Sequence, residues 1–339
     1  MSATPAPRPG SLMPRAVLLF LLLLLGLLGA YIASALLLAD TLVLRHPTRA
    51  GAFHPDLLIN AVLALVIAYT ITAGWLGRRW ALRDLEALRP VVDAGNEEWE
   101  GWLGQIRRPP LGRLLRAALL GGLVGVLVLV VSTWGLTPGP RVWGGHGLWM
   151  GLLNPVLFGA LAAFARGGAD TARVFHAAGE RARVRVGEVD LLAPFAHAGL
   201  RRAVLWLVGS SLAALLLPST GAPVIVLGII LVTLAIGVAS LLAPSRTVHR
   251  RMREAKQAEL CWVRSEIARA GDALRGHGDP ARGQRLPALI AWEARVAEAP
   301  VWPFDLSTKL RFALLLLVPL GSWLGGAMVE RVIEAWFGG

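Results

Sequence analysis

Residues 16–39 have the sequence AVLLFLLLLLGLLGAYIASALLLA, which contains no charged side chain. An α-helix rises about 1.5 Å per residue, so about 20 apolar residues are needed to cross a hydrocarbon core about 30 Å thick. This run of 24 residues is longer than that minimum. It therefore predicts a helix that crosses a lipid bilayer.

Six further uncharged, apolar runs follow along the chain. The composition agrees with them, since 55% of the residues are hydrophobic, 17% are charged and the mean hydropathy is +0.59. These values exclude an ordinary soluble enzyme, and the basic residues lie between apolar runs rather than on the surface of a nucleic-acid-binding domain. We predict an all-α, polytopic membrane helix bundle of seven transmembrane helices, arranged as three hairpins and one closing helix. The further runs are 57–76, 117–136, 147–165, 203–217, 222–243 and 312–329.

The first run has a second interpretation as a cleaved signal peptide. Arg8 and Arg15 precede it, and Ala33-Ser34-Ala35 has the small residues of a cleavage site. The apolar region of a signal peptide is only about 7–15 residues long, so the length of this run favours a retained helix. We expect the Pro-rich residues 1–15 to form a disordered cytoplasmic tail.

The basic residues define the orientation of the chain in the membrane. Alternate segments between the apolar runs carry 30 of the 34 Lys and Arg residues, and positively charged loops stay on the cytoplasmic side. We therefore predict a cytoplasmic N-terminus and an external C-terminus. Arginine supplies 32 of those 34 residues, a bias that favours a GC-rich bacterium and hence its inner membrane. The basic segments are 1–15, 78–116, 166–202 and 244–311.

These segments divide the chain into four regions. The tail is followed by a six-helix membrane region with two basic connectors, a cytoplasmic helical hairpin, and a seventh span with the external C-terminus. The second connector contains the alternating residues 181–186, for which no partner strand is evident, so we predict an irregular segment whose arginines bind headgroups. The regions are 1–15, 16–243 with connectors 78–116 and 166–202, 244–308, and 309–339.

Five side chains are predicted to lie at the lipid interface. In the first connector, tryptophans, Leu103 and Ile106 recur at helical spacing, which is typical of a helix lying among lipid headgroups. Arginines that follow a Pro and a bulky residue can extend to lipid phosphates near the start of a span. We predict anionic headgroups as partners. The candidates are Trp99, Trp102, Arg116, Arg202 and Arg311.

The segment 244–308 has the clearest pattern outside the membrane. Apolar residues follow a spacing of three and four, a turn follows near Gly276, and a second helix starts at Pro287. This pattern predicts an antiparallel helical hairpin that docks a cytoplasmic protein. The docking candidates are Leu260, Val263, Ile267, Leu274 and Trp292.

The spans themselves contain neutral polar residues, and no charged residue lies within an apolar run. Such residues either line a pathway for solutes or bond across helices, which is how membrane helices commonly associate. Asn154-Pro155 is notable because proline frees a carbonyl in the preceding turn. The pathway candidates are Asn60, Tyr69, Thr72, Asn154, Pro155, Ser210 and Ser322.

Catalytic and cofactor chemistry find little support. Cys261 is the single cysteine, which excludes an intrachain disulfide, and no phosphate-binding loop, nucleophile motif or metal-ligand spacing occurs. We expect no enzyme, metal or cofactor. The first functional hypothesis is a passive channel or pathway for ions or small solutes, formed by the bundle or by a homo-oligomer. The alternative is a membrane-embedded scaffold or signalling subunit that uses the hairpin.

Overall fold

The computed structural model contains eight α-helices in the part of the chain that it describes. The N-terminal residues 1–11, the predicted seventh span, Arg311 and Ser322 lie outside that part. The described residues contain no β-strand, which confirms the all-α prediction for them. The described ranges are 12–37, 55–133, 145–184, 189–215, 223–275 and 280–299.

The helices are longer than the apolar runs that predicted them. A 3₁₀ turn, Val189–Leu192, precedes the sixth helix. The helices are α1 (Leu12–Leu37), α2 (Pro55–Ala87), α3 (Asn96–Arg107), α4 (Leu111–Thr133), α5 (Gly145–Glu180), α6 (Ala193–Ala214), α7 (Pro223–Arg275) and α8 (Pro280–Glu298).

Five stretches of helix are long and apolar enough to cross a membrane, by length and composition. They coincide with the first four runs and the sixth. The fifth run lies in α6, where Arg201 and Arg202 interrupt the apolar sequence near the middle of the helix. The number seven therefore remains a prediction. The five stretches are Leu12–Ser34, Ile59–Ala87, Asn96–Val131, which spans α3 and α4, Trp149–Glu180 and Ile230–Asp272.

α1 and α4 have outward faces made of large apolar side chains. On α4, four leucines spaced by four residues form one stripe, and each is more than half exposed. A soluble protein rarely exposes a continuous apolar surface of this kind. Such a stripe is compatible with contact with the hydrocarbon of a bilayer, because lipid tails are as apolar as leucine side chains. The four leucines are Leu115, Leu119, Leu123 and Leu127.

α2 is the central helix of the bundle. It packs against α1, α5 and α6, and its residues Leu63, Ile67 and Ala68 are almost fully buried. α4 is held at the edge by α5, where small residues let the two backbones approach. A Cβ atom on Gly125 would lie 2.8 Å from the carbonyl oxygen of Asn154.

The first connector differs from its prediction. α2 continues through residues 78–87 as a helix, and α3 packs on α2 and α5 rather than presenting its apolar face outward. Trp99 and Trp102, predicted at the lipid interface, are buried in this core with Phe175 of α5. An amphipathic face fits a protein core as well as a headgroup layer, and here the C-terminal ends of α2 and α5 and the middle of α7 supply that core.

The second connector is also more ordered than predicted. α5 continues to Glu180, and the following residues run antiparallel to residues 91–93, with a bridge between Val92 and Ala182. A side-chain nitrogen of Arg181 lies 3.3 Å from a carboxylate oxygen of Glu98. A side-chain nitrogen of Arg183 lies 2.9 Å from a carboxylate oxygen of Asp93. These arginines thus pair with carboxylates of the same chain, whereas the sequence predicts headgroup contacts.

The two helices α7 and α8 pack against each other along the predicted apolar seam. Val263 and Val296 are fully buried, and Leu260, Ile267 and Trp292 are half-buried. The side chain of Leu274 lies outside the described residues. Contacts within the chain therefore occupy much of the surface predicted to dock a partner, because the pairing of α7 with α8 buries the same stripe that a partner would need.

We expect Gly125→Ala to weaken the packing of α4 on α5 by about 1–3 kcal/mol, because the new methyl group overlaps the backbone at Asn154. Gly122→Ala is the matched control, since its Cβ would lie at an ordinary 3.5 Å from the carbonyl oxygen of Pro155. Unfolding by sodium dodecyl sulfate in mixed micelles, followed by circular dichroism, measures both. Equal stabilities of the two variants would contradict this packing.

Candidate functional site

The described pathway candidates do not surround one common cavity. The Tyr69 hydroxyl donates to the carbonyl of Leu205 at 2.7 Å, and Ser210 bonds to the Trp206 carbonyl and to Thr233. Of the candidates that the structure describes, Tyr69 alone lines one of the three cavities given for those residues, a small one of about 40 Å³. These bonds agree with the alternative that the sequence left open, in which polar groups join helices.

The remaining described candidates have other surroundings. Asn60 and Thr72 are buried in α2, and the Asn60 Oδ1 and Thr72 Oγ1 atoms have no hydrogen-bond partner among the described residues. Asn154 and Pro155 form part of the α5 surface on which Gly125 packs. Pro155 lies inside α5, which continues as a helix on both sides of it.

Charged residues on α2, α5 and α6 form a junction inside the bundle. Asp84 is buried, and one of its oxygens accepts a 2.6 Å hydrogen bond from Arg201. The Arg201 guanidinium also lies 5.8 Å from the centre of the Trp80 ring. We call Asp84, Arg201, Arg202 and Asp170 the charged junction.

Arg202 lies inside this junction rather than extending outward. Its Nη2 donates to the carbonyl of Phe164, and its guanidinium carbon lies 4.6 Å from the centre of the Phe164 ring. Gly168 on α5 makes room for the guanidinium, because a Cβ at that position would collide with it. The side chain predicted at the lipid interface therefore packs between helices, although it lies at the predicted start of a span. Arg116, by contrast, is exposed at the start of α4.

Asp170 is the acidic residue of the junction on α5. It pairs with Arg166, at 3.4 Å, and with Arg173 on its own helix. Its Oδ2 atom is buried and accepts no hydrogen bond from the described residues. Asp170 is thus compensated by charge from α5 itself, which leaves Arg202 without a carboxylate partner in the described part of the chain.

Two cavities flank Arg202. The α7-side cavity, about 230 Å³, lies between α2, α5, α6 and α7, and Asp84, Arg201 and Trp206 line it. The α4-side cleft, about 200 Å³, lies between α2, α3, α4, α5 and α6, and Arg78, Asp170 and Arg202 line it. Both have mainly apolar walls with guanidinium groups, so they suit an anionic group attached to an apolar body.

The sequence prediction missed Arg78, Asp84 and Arg201 because it treated them as loop charges. The signal that could have found them is the apolar pattern of α2, which continues beyond residue 76 with Ala81 and Leu85, both buried. A helix extended in this way carries Arg78 and Asp84 into contact with its neighbours.

We expect Arg201→Gln to destabilise the protein by about 2–3 kcal/mol, because it leaves the buried Asp84 carboxylate unpaired while Arg201, at 40% exposure, is partly screened by water. Adding Asp84→Asn removes the unpaired charge and restores most of the loss. Arg183→Gln is the control, since its exposed pair with Asp93 contributes about 1 kcal/mol or less. The measurement is the free energy of unfolding of each variant in mixed micelles. Equal losses of stability in Arg201→Gln and Arg183→Gln would refute the buried pair of Asp84 with Arg201.

Comparison with known proteins gives no family for this chain: no protein-family model, no curated protein and no solved structure matches it. Among the described residues, no group of three or more His, Cys, Asp or Glu side chains is arranged to hold a metal ion. The expectation that the chain is not an enzyme remains a prediction. Its function must therefore follow from its own helices and side chains.

Proposed function

We propose that this chain is a multi-pass protein of a bacterial inner membrane that acts as a scaffold or signalling subunit, with its N-terminus in the cytoplasm. In this proposal the hairpin of α7 and α8 docks a cytoplasmic protein partner. The observation that carries the proposal is the length of α7, which continues for 53 residues from the bundle into the hairpin. A continuous helix transmits position between the two parts better than a flexible linker does.

Contacts between α7 and α8 support a hairpin of fixed geometry. The Trp292 Nε1 donates to Glu259 at 2.9 Å, and Arg264 pairs with Glu293 at 2.7 Å. The Lys256 ammonium donates to the carbonyls of Ala297 and Ala299 at the end of α8. Such contacts add to the buried apolar seam and give a partner one defined surface to recognise.

The docking surface then lies on the outer faces of the hairpin, not in the seam that the sequence indicates. Trp262 on α7 and Ile290 on α8 are each 51% exposed. Tryptophan is enriched among residues that contribute most to protein interfaces, and a half-exposed Trp gains from being covered. Cys261, also exposed, lies beside Trp262.

A passive pathway for ions or small solutes is the second candidate. Its support is the pair of buried, unpartnered oxygen atoms on Asn60 and Thr72, which water in a passage through the helix bundle would satisfy. Proteoliposomes that release solute faster than empty vesicles, and more slowly with Asn60→Leu and Thr72→Val, are the expected result for a pathway. Release equal to that of empty vesicles under varied voltage and tension would refute this candidate.

The native Cys261 allows a direct test of docking. With a photo-crosslinker attached to Cys261 of the full chain in membranes, we expect one reproducible cytoplasmic protein to be captured. That protein, once purified, should bind the full chain in lipid nanodiscs. Trp262→Asp with Ile290→Asp should weaken this binding at least about tenfold, because it places charge on the contact surface.

Gln257→Ala is the matched control for an exposed position on α7, and it should bind like the unaltered protein. Circular dichroism checks that the hairpin stays helical in every variant. Binding that is unchanged in the double variant, or the absence of any captured protein that binds in nanodiscs, would refute the docking function.

A further inference from the structure

The α4-side cleft lies where four helices reach the predicted edge of the membrane. Arg78 follows the uncharged run 57–76 and Arg202 directly precedes the run 203–217. Asp170 and Leu114 lie within two turns of the ends of their own runs, on α5 and α4. All four residues line the cleft. Four independent boundaries therefore place it at the depth of the lipid headgroups.

The cleft carries more positive than negative charge. Arg78 bonds to the carbonyl of Gly74 on its own helix at 3.3 Å, and Arg202 bonds to the carbonyl of Phe164. Neither arginine pairs with a carboxylate among the described residues. Asp170, the acidic residue that lines the cleft, is paired with two other arginines. Partly buried cations without a counter-charge are unfavourable, so the cleft is suited to an anion.

The apolar side chains that line the cleft favour an amphiphilic ligand over a small ion. Ile71 and Leu114 line it, and Ile71 is 43% exposed. The exposed leucines Leu111 and Leu115 flank Leu114 on α4, at the start of the apolar stripe. Inorganic phosphate gains nothing from these apolar surfaces, whereas the acyl chains of a lipid cover them.

We propose that the α4-side cleft binds the phosphodiester group of an anionic membrane lipid, with Arg78 and Arg202 donating hydrogen bonds to its oxygens. Guanidinium groups bind phosphate oxygens in a planar, two-pronged geometry, which gives such sites specificity as well as affinity. The acyl chains then follow the leucine stripe of α4. This inference does not depend on the proposed docking function.

The test uses the purified full chain in detergent, with phosphatidylglycerol, phosphatidylcholine or inorganic phosphate added in parallel. We expect phosphatidylglycerol to raise the midpoint of thermal unfolding. Phosphatidylcholine has the same phosphodiester, but its choline cation balances that charge, so we expect it and inorganic phosphate to have no such effect. Native mass spectrometry should show retained phosphatidylglycerol. Arg78→Gln should weaken the apparent affinity for this lipid about tenfold, because it removes a charge-assisted hydrogen bond.

Arg78 is the decisive position, because its hydrogen bond is to the Gly74 carbonyl on its own helix, so we expect the substitution to leave the packing of the bundle intact. Arg113→Gln, at an exposed arginine in the first turn of α4, is the control and should retain the lipid effect. Full stabilisation of Arg78→Gln by phosphatidylglycerol would overturn the proposal. Equal stabilisation by phosphatidylcholine, or by inorganic phosphate alone, would overturn it too, the latter in favour of a free-anion site.

Discussion

The structure depends on lipid as the solvent for its apolar surface. α1 and α4 present leucine and valine side chains outward, and nothing in the described part of the chain covers them. In water these faces would drive aggregation, but in hydrocarbon they need no partner, and each helix satisfies its own backbone hydrogen bonds. The remaining architecture follows, with α2 at the centre and charged groups gathered at the predicted membrane edge.

That edge concentrates the electrostatics of the molecule. Asp84 and Arg201 form a pair between α2 and α6, and Arg202 reaches between two cavities at the same level. Placing a charged side chain deep in hydrocarbon costs much more free energy than placing it among lipid headgroups. Charged side chains of a helix bundle are therefore expected near the boundary between the two.

Hydropathy predicted the helices well and their ends poorly. The run 57–76 identifies α2, but the helix continues to Ala87, and Asp84 in this continuation pairs with Arg201 of α6. Pattern could not distinguish a headgroup layer from a protein core for Trp99 and Trp102, since both environments favour one apolar face. The docking seam shows the same ambiguity, because α8 covers Val263. Which surface covers an apolar stripe is a property of tertiary contacts and is not encoded in its spacing.

The central claim is that the leucine stripe of α4 faces hydrocarbon. Single spin labels at positions 115, 119, 123 and 127, in a Cys261→Ser background in nanodiscs, measure it through collision with oxygen, which dissolves in lipid, and with a water-soluble nickel chelate. We predict that oxygen accessibility rises and nickel accessibility falls from position 115 towards the bilayer centre. High nickel accessibility along the whole stripe, as for a helix in water, would contradict the membrane bundle and the inferences drawn from it.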